Sequence, residues 1–452
     1  MTEGPVGRSL LMLTIPMLFG IYSFMLFNFV DTLYISRLGA LELAAISFTF
    51  PVALVVGSLG QGIGVGASAI ISRAIGEGDE SNVRRITTDT LLLSLLGALA
   101  FTAIGITTID PVFRLLGATP EVLPLIRQYM VLWYIGVPFV IIPLVGNNAI
   151  RATGDTRTPA TIMILSAVSN AILDPFLIFG IWIFPEMGLT GAALASLLAR
   201  AASLFAGLWV IGHRERLLTF VRPPLSLVID SWRQILFIGL PAAGTNVLTP
   251  VSFGIITAMV AVFGPEAVAA LGAGTRITAL AMGVFMATAA VLTPFVGQNL
   301  GAGHPLRARA AVAQAQRFAI IWGAVVIVVL AVFGRQVALI FTDDPAVIEP
   351  LVRYLWIVPV GCGSFGVMMV SSAGLNAYRR PLQAAVLTAG RLFALQIPMA
   401  IAGSLWLGLD GIFAAVVIAD VLACVASYIW LRRIMTREAT SSPAEQPVPV
   451  AP

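Results

Sequence analysis

Stretches of about 20 consecutive apolar residues recur along this chain, and each is long enough to cross the ~30 Å hydrocarbon layer of a bilayer as a helix. Twelve are present, at 9–35, 44–72, 87–109, 126–150, 159–184, 189–212, 235–262, 266–294, 311–333, 351–376, 382–406 and 409–433. Within hydrocarbon a backbone must satisfy its own hydrogen bonds, so segments of this length can only be helices. The expected class is therefore an all-α polytopic membrane protein. Composition agrees: the 452 residues are 58% hydrophobic and only 11% charged, where a soluble domain carries about a quarter charged residues. The first run begins at Ser9 and shows no small-residue cleavage site before the second, which reads as a retained helix and not a signal peptide.

The net charge of +4 does not describe a nucleic-acid surface. Every basic residue other than the two histidines is arginine, and the arginines gather in alternate loops: Arg8, then Arg73, Arg84 and Arg85, then Arg151 and Arg157, then Arg214, Arg216, Arg222 and Arg233. The pattern continues with Arg307, Arg309 and Arg317, Arg379 and Arg380, and Arg432, Arg433 and Arg437. The opposite loops carry few. By the positive-inside rule both termini are expected to be cytoplasmic, in the cell membrane. Catalytic chemistry finds no support. Cys362 and Cys424 both lie in apolar runs, where a lone thiol is usually a small core residue. His213 and His304 both fall in loops, and "GQGIGVG" (60–66) lacks the strand, helix and lysine of a phosphate loop. The chain reads as a non-enzyme with no resident cofactor.

A repeat organises the chain. "LGALELAAI" (38–46) matches "FGPEAVAAL" (263–271), "SRAIGEGD" (72–79) matches "GQNLGAGH" (297–304), and "TPEVLPLIRQY" (119–129) matches "DPAVIEPLVRY" (344–354), all at an offset of 225. Pro16 and Pro241 share it; "GLTGAALA" (188–195) and "GLDGIFAA" (408–415) match at 220. The unit is six helices long, and six is even, so both copies enter the membrane from one side. That implies two six-helix bundles related by a pseudo-two-fold axis along the membrane normal, the parallel-repeat plan of transporters. The expected domains are an N-terminal bundle over 1–213, a cytoplasmic linker over 214–233, a C-terminal bundle over 234–436 and a disordered tail over 437–452.

Charges inside spans are costly and normally face a cavity or a partner. Asp31, Asp174, Arg200, Arg276 and Asp420 fall inside, and Arg391 near the cytoplasmic end of span 11. In "SNAILDPFLIFG" (169–180), Pro175 has no N–H, so the Ala171 carbonyl loses its helical donor and a helix kink is expected. Asn170 precedes Asp174 by one helical turn and shares its face. A carboxylate, an amide and a freed carbonyl make a cluster of hard oxygens suited to Na⁺ or to a carboxyl that takes up and releases a proton. The plainer alternative is a proline kink whose aspartate satisfies local backbone. Asp31, far from Arg8, belongs to the same outer half. The repeat places Ile256 opposite Asp31, and Phe393 and Ile397 opposite Asn170 and Asp174, so a coupling site of this kind is expected in the N-terminal bundle alone. Arg200 and Asp420 correspond at offset 220; pairing inside their own bundles is the simplest role, and gating of a cleft the alternative. Methionines such as Met163 suit an adaptable lining or simple core packing.

The spans, the repeat and the motifs "FVDTLYISRLG" (29–39), "RATGDTRTP" (151–159), "NAILDPFLIFG" (170–180) and "VGQNLGAG" (296–303) together resemble the multidrug and toxic compound extrusion (MATE) family, most closely its prokaryotic DinF-like branch. The likeness covers about residues 9–435. It implies a secondary antiporter that exports amphipathic, often cationic organic compounds in exchange for H⁺ or Na⁺. It also implies Asp31, Asn170 and Asp174 as coupling residues, and Asn147, Met163 and Ser196 as cavity-lining candidates, beside Arg200 and Arg276. The NorM-like branch carries acids in spans 7 and 10, and this chain has none there, so no C-terminal coupling site of that type is expected. A lipid or lipid-linked oligosaccharide flippase of the same superfamily architecture is the alternative, kept open by Arg200, Arg276 and Arg391. The expected partners are small organic molecules and the lipid bilayer, for a monomer.

Overall fold

A computed structural model describes residues 1–221 and 223–441 of the chain. Among them the regular structure is helical throughout, with no strand. The first half contains α1 (Val6–Ser36), α2 (Ala40–Glu77), α3 (Glu80–Thr107), the short α4 (Ile109–Leu115), α5 (Leu123–Ile135), α6 (Val137–Thr153), α7 (Arg157–Phe179) and α8 (Gly188–Trp209). The second contains α9 (Leu225–Ala261), α10 (Pro265–Gly301), α11 (Pro305–Phe341), α12 (Pro345–Ile357), α13 (Cys362–Ala377), α14 (Pro381–Ala389) and α15 (Ile397–Ser441). Two stretches are π-helical, Val210–Arg214 after α8 and Gly390–Gln396 between α14 and α15.

Ten of these helical stretches are long and apolar enough to span a bilayer. Two features reconcile them with the twelve expected crossings. The fourth span is a bent pair, α5 and α6, turning by 44° at the Gly136 break. Pro138, in the first turn of α6, needs no helical N–H partner there and fixes the restart. The stretch from Pro381 to Glu438 reverses at Gly408, whose φ of 61° and ψ of −134° suit only glycine. The reversal is confirmed by Arg391 and Asp420, whose charged atoms are 2.7 Å apart. Along an unbroken helix residues with that spacing would be about 44 Å apart. The last helix continues to Ser441, so residues 437–441 of the expected tail are helical, while 442–452 lie outside the described residues. Arg222 lies outside them too.

The chain forms two compact units. The N-terminal unit comprises Leu11–Ile71 and Asp79–Val251; the C-terminal unit comprises Met1–Leu10, Ser72–Gly78 and the chain from Ser252 on. The start of α1 thus packs with the C-terminal unit and most of α9 with the N-terminal one. Each start is fastened by an arginine near the beginning of the third span of a repeat. Arg85 on α3 donates to the Leu227 carbonyl (3.1 Å) and to Ser231 Oγ (3.0 Å) on α9. Arg307 on α11 donates to the Glu3 (2.6 Å) and Met1 (3.2 Å) carbonyls at the start of the chain. The N-terminus of α3 is capped by Asp79, whose carboxyl is held below the ordinary range by the Asn82 N–H and the Ser81 hydroxyl.

Inside the C-terminal unit the end of α2 meets the end of α10 backbone to backbone. A Cβ at Gly76 would fall 2.2 Å from the Gln298 carbonyl oxygen, and one at Gly301 would fall 2.1 Å from that of Arg73. Arg73 and Gln298 are repeat mates, as are Gly76 and Gly301, so the two contacts are made by repeat-related residues. Neither oxygen can retreat, because both belong to helix backbone. Gly301→Val is therefore expected to lower the thermal midpoint in detergent by several degrees, consistent with about 1–3 kcal/mol for overpacking. Gly97→Ala, where an added Cβ meets nothing within 4 Å, should leave the midpoint in place. An unchanged midpoint for Gly301→Val would show that the helices are not in this contact.

Candidate functional site: a buried acid cluster

Four helices of the N-terminal unit bring polar groups to one place. On α7, Asn170 and Asp174 are both fully buried. The Asn170 amide donates to Asp174 Oδ1 (3.1 Å) and to Ser196 Oγ on α8 (3.3 Å). Both of its donors are thus committed, and the acceptors are left over. Asn170 Oδ1, Asp174 Oδ2 and Asp31 Oδ1 are buried without a hydrogen-bonding partner among the described residues. Buried side-chain oxygens are nearly always satisfied, so three in one neighbourhood call for a proton, a cation or a water molecule.

Helix α1 brings Asp31 to this level. Low on the pair, Gly20 lets α1 approach α7 closely: a Cβ there would fall 3.0 Å from Ala160 Cα and 3.3 Å from Met163 Sδ. Higher up, Tyr34 packs edge-on against Phe179 with ring centroids 6.3 Å apart. The helices therefore run parallel, and Asp31, three residues before Tyr34, stands within one helical turn of the level of Asp174, five residues before Phe179. The carboxylates feel each other's field, and Asp31 also feels that of Arg200 on α8. Pro175 lies within the continuous helix α7, and for want of its N–H the Ala171 carbonyl has no i+4 donor.

The other candidates are placed less centrally. Met163 lies against α1 two turns before Asn170, on the same face of α7. Asn147 on α6 has a buried Oδ1 without a hydrogen-bonding partner among the described residues. Arg276 is exposed on α10 of the C-terminal unit. Sequence reasoning missed Tyr129. It is buried on α5 in the electrostatic field of Asp31, Arg200 and Asp174. The signal was available: Tyr129 and Tyr354 end the matched segments of the repeat, and Tyr354 lies in the field of Asp420.

The C-terminal unit solves the same problem differently. Asp420 on α15 is neutralised by Arg391, both side chains being buried, and the Arg391 guanidinium lies 5.0 Å from the Phe365 ring centroid. Arg391 reaches Asp420 from the π-helical stretch, where the extra residue per turn shifts its side chain out of α-register. Among the described residues no three His, Cys, Asp or Glu side chains converge as a metal site. The N-terminal set offers two carboxylates and neutral oxygens, a hard-oxygen environment.

The MatE family pattern matches residues 16–176 and again 241–402, the two copies beginning 225 residues apart at the repeat-related Pro16 and Pro241. The chain belongs to the MATE family. It is a multi-pass membrane transporter. This MATE protein is 39% identical over 432 residues to the FAD transporter of Shewanella oneidensis, covering 96% of each chain. It is 24% identical over 437 residues to the multidrug export protein MepA of Staphylococcus aureus, covering 94% of each. Among solved structures, the bent form of the Vibrio cholerae MATE transporter VcmN matches with a TM-score of 0.92 at 28% identity over 96% of this chain and 98% of that one. A Pyrococcus furiosus transporter of the MOP superfamily, described as having a binding pocket of reversed polarity, matches with a TM-score of 0.87 at 26% identity over 97% of this chain and 98% of its own.

The Arg391–Asp420 pair can be tested by itself. Arg391→Met leaves a buried carboxylate without its counter-charge and is expected to cost about 3–5 kcal/mol, seen as a loss of monodisperse protein in detergent. The double variant Arg391→Met/Asp420→Leu should recover most of that loss, since a buried pair is often replaceable by apolar groups of similar size. Equal loss in single and double variants would contradict a mutual pairing.

Proposed function

We propose that this MATE protein is a secondary antiporter that exports organic compounds in exchange for H⁺ or Na⁺, with the ion taken up at Asp31, Asn170 and Asp174. The observation that carries this reading is the set of partnerless buried oxygens around an amide whose donors are already committed. Asn170 holds Asp174 Oδ1 in place and leaves Oδ2 for the ion. Asp31, within one turn of that level, supplies a second carboxylate, and the Ala171 carbonyl a neutral oxygen. With the ion bound, the two negative charges no longer repel each other across α1 and α7. With it released, they do. The site thus couples ion occupancy to the separation of two helices, the differential interaction that alternating access requires. Arginine asymmetry supports a cell-membrane protein with cytoplasmic termini.

Two substrate readings follow from the relatives. Multidrug exporters span the whole chain at about a quarter identity, and the flavin dinucleotide transporter spans it at 39%. The second likeness favours a large, anionic, aromatic substrate over a small organic cation. Everted membrane vesicles offered either flavin adenine dinucleotide or a cationic dye distinguish the two. An imposed pH gradient and an imposed Na⁺ gradient, applied in turn, identify the driving ion.

Asp174→Asn removes the charge while keeping the shape. It is expected to lower substrate transport at least tenfold in these vesicles with normal expression and normal gel-filtration behaviour. Wild-type transport by this variant would refute the assignment.

A further inference from the structure

The glycine-rich stretch at 60–66 lies within α2 and serves two packing faces. Gly62 and Gly66 set α2 against α9, where a Cβ on either would collide with the carbonyl oxygen of Gly239 or Ile235. Gly60 and Gly64 face α6: a Cβ on the first would fall 3.6 Å from Ile141 Cα, and one on the second would collide with the Asn148 amide. Ser68, one turn beyond Gly64 on the same face, is therefore directed at α6 near Asn148 and Arg151. The repeat supports this register. In the C-terminal unit Phe285, the mate of Gly60, packs on Gly366, the mate of Ile141. Thr293, the mate of Ser68, donates across the corresponding seam to the carbonyl of Ala373 (3.2 Å), the mate of Asn148.

The two seams differ in charge. The C-terminal one has the neutral Asn376 where the N-terminal one has Arg151. Arg151 is 5% exposed and donates to Asn148 Oδ1, yet its Nε has no hydrogen-bonding partner among the described residues. Neither has Ser68 Oγ, on a side chain equally buried. The acids near this end of the helices are engaged elsewhere: Asp155, one turn on, pairs with Arg214 (3.2 Å), and Asp89 on α3 pairs with Arg85 (3.7 Å). Asn148 gives its amide hydrogen to the Leu144 carbonyl (2.8 Å) and its oxygen to Arg151. What the seam still offers is N–H and O–H donors beside a buried positive charge, and such a charge is costly without a counter-charge. A water molecule would fill the hydrogen bonds and leave the charge. An anion supplies both. Gly60 and Gly64 hold the helices close, which admits a monatomic anion and excludes the four oxygens of a phosphate.

We infer that the seam between α2 and α6 binds one chloride-sized anion, held between the Arg151 guanidinium and the Ser68 hydroxyl. The site lies wholly within the N-terminal unit, and the inference is independent of the transported substrate and of the coupling ion.

Equilibrium binding of radiolabelled chloride to the full-length protein in detergent tests it, after purification in sodium gluconate and with Na⁺ held constant. The wild type is expected to bind chloride saturably at a single site, with bromide displacing it and phosphate not. Arg151→Gln should abolish saturable binding, and Ser68→Ala should weaken it at least threefold. Arg335→Gln, at an exposed position on α11, should bind as the wild type does. A melting curve matching the wild type's establishes that the glutamine variant at 151 is folded; were it unfolded, Ser68→Ala would decide alone. Saturable binding that is absent from the wild type, or undiminished in either seam variant, would overturn the inference, as would displacement by phosphate as effective as that by bromide.

Discussion

A carboxylate inside the hydrocarbon zone must find a fixed counter-charge, a proton or a mobile cation, and the two halves of this chain take different routes. In the C-terminal unit the counter-charge is covalent: Arg391 is carried by the chain and closes on Asp420 at 2.7 Å. In the N-terminal unit the nearest donor to Asp174 is a neutral amide, and one oxygen each of Asp31, Asn170 and Asp174 stays without a partner. The two copies of the duplicated fold thus differ in whether a buried carboxylate is paired with an arginine by a direct ion pair.

The scaffold serves this asymmetry by being nearly symmetric elsewhere. The ends of α2 and α10 meet through the repeat-related contacts of Gly76 and Gly301. The starts of α9 and α1 are each held through backbone carbonyls by an arginine, Arg85 and Arg307. The polar groups within the spans differ between the copies: Asp31, Asn170 and Asp174 in the first, and the Arg391–Asp420 pair in the second. The nearness in level of Asp31 and Asp174 follows from close approach at Gly20 and ring packing at Tyr34. Small side chains bring the helices together at one end, and aromatic ones fix the register at the other.

Much of this was legible from residues alone. Apolar runs fix the helices because hydrocarbon forbids other backbone arrangements, and the motif spacing exposed the duplication. Asn170, Asp174 and Pro175 could be read as a group because a helix brings neighbours one turn apart to the same face. Interhelix relations were harder. The partner of Asp420 is 29 residues earlier in the chain and reaches it from a π-helical stretch that no α-period anticipates. Tyr129 comes from a helix that is half of a bent span, broken at Gly136. The seven-residue α4 is too short to show a period. The contacts of residues 234–251, which the repeat alone places with the C-terminal bundle, depend on packing at the start of α9.

The proposal at stake is that the ion exchanged for substrate is taken up at the acid cluster of the N-terminal unit. Its most direct test is ion release from purified protein on addition of a transported substrate. A pH indicator in weak buffer, or a Na⁺-sensitive dye, reads the release. The account predicts that substrate drives one of these ions off the wild type and neither off Asp31→Asn/Asp174→Asn. Release of the same size from both proteins, with substrate binding intact, would contradict it.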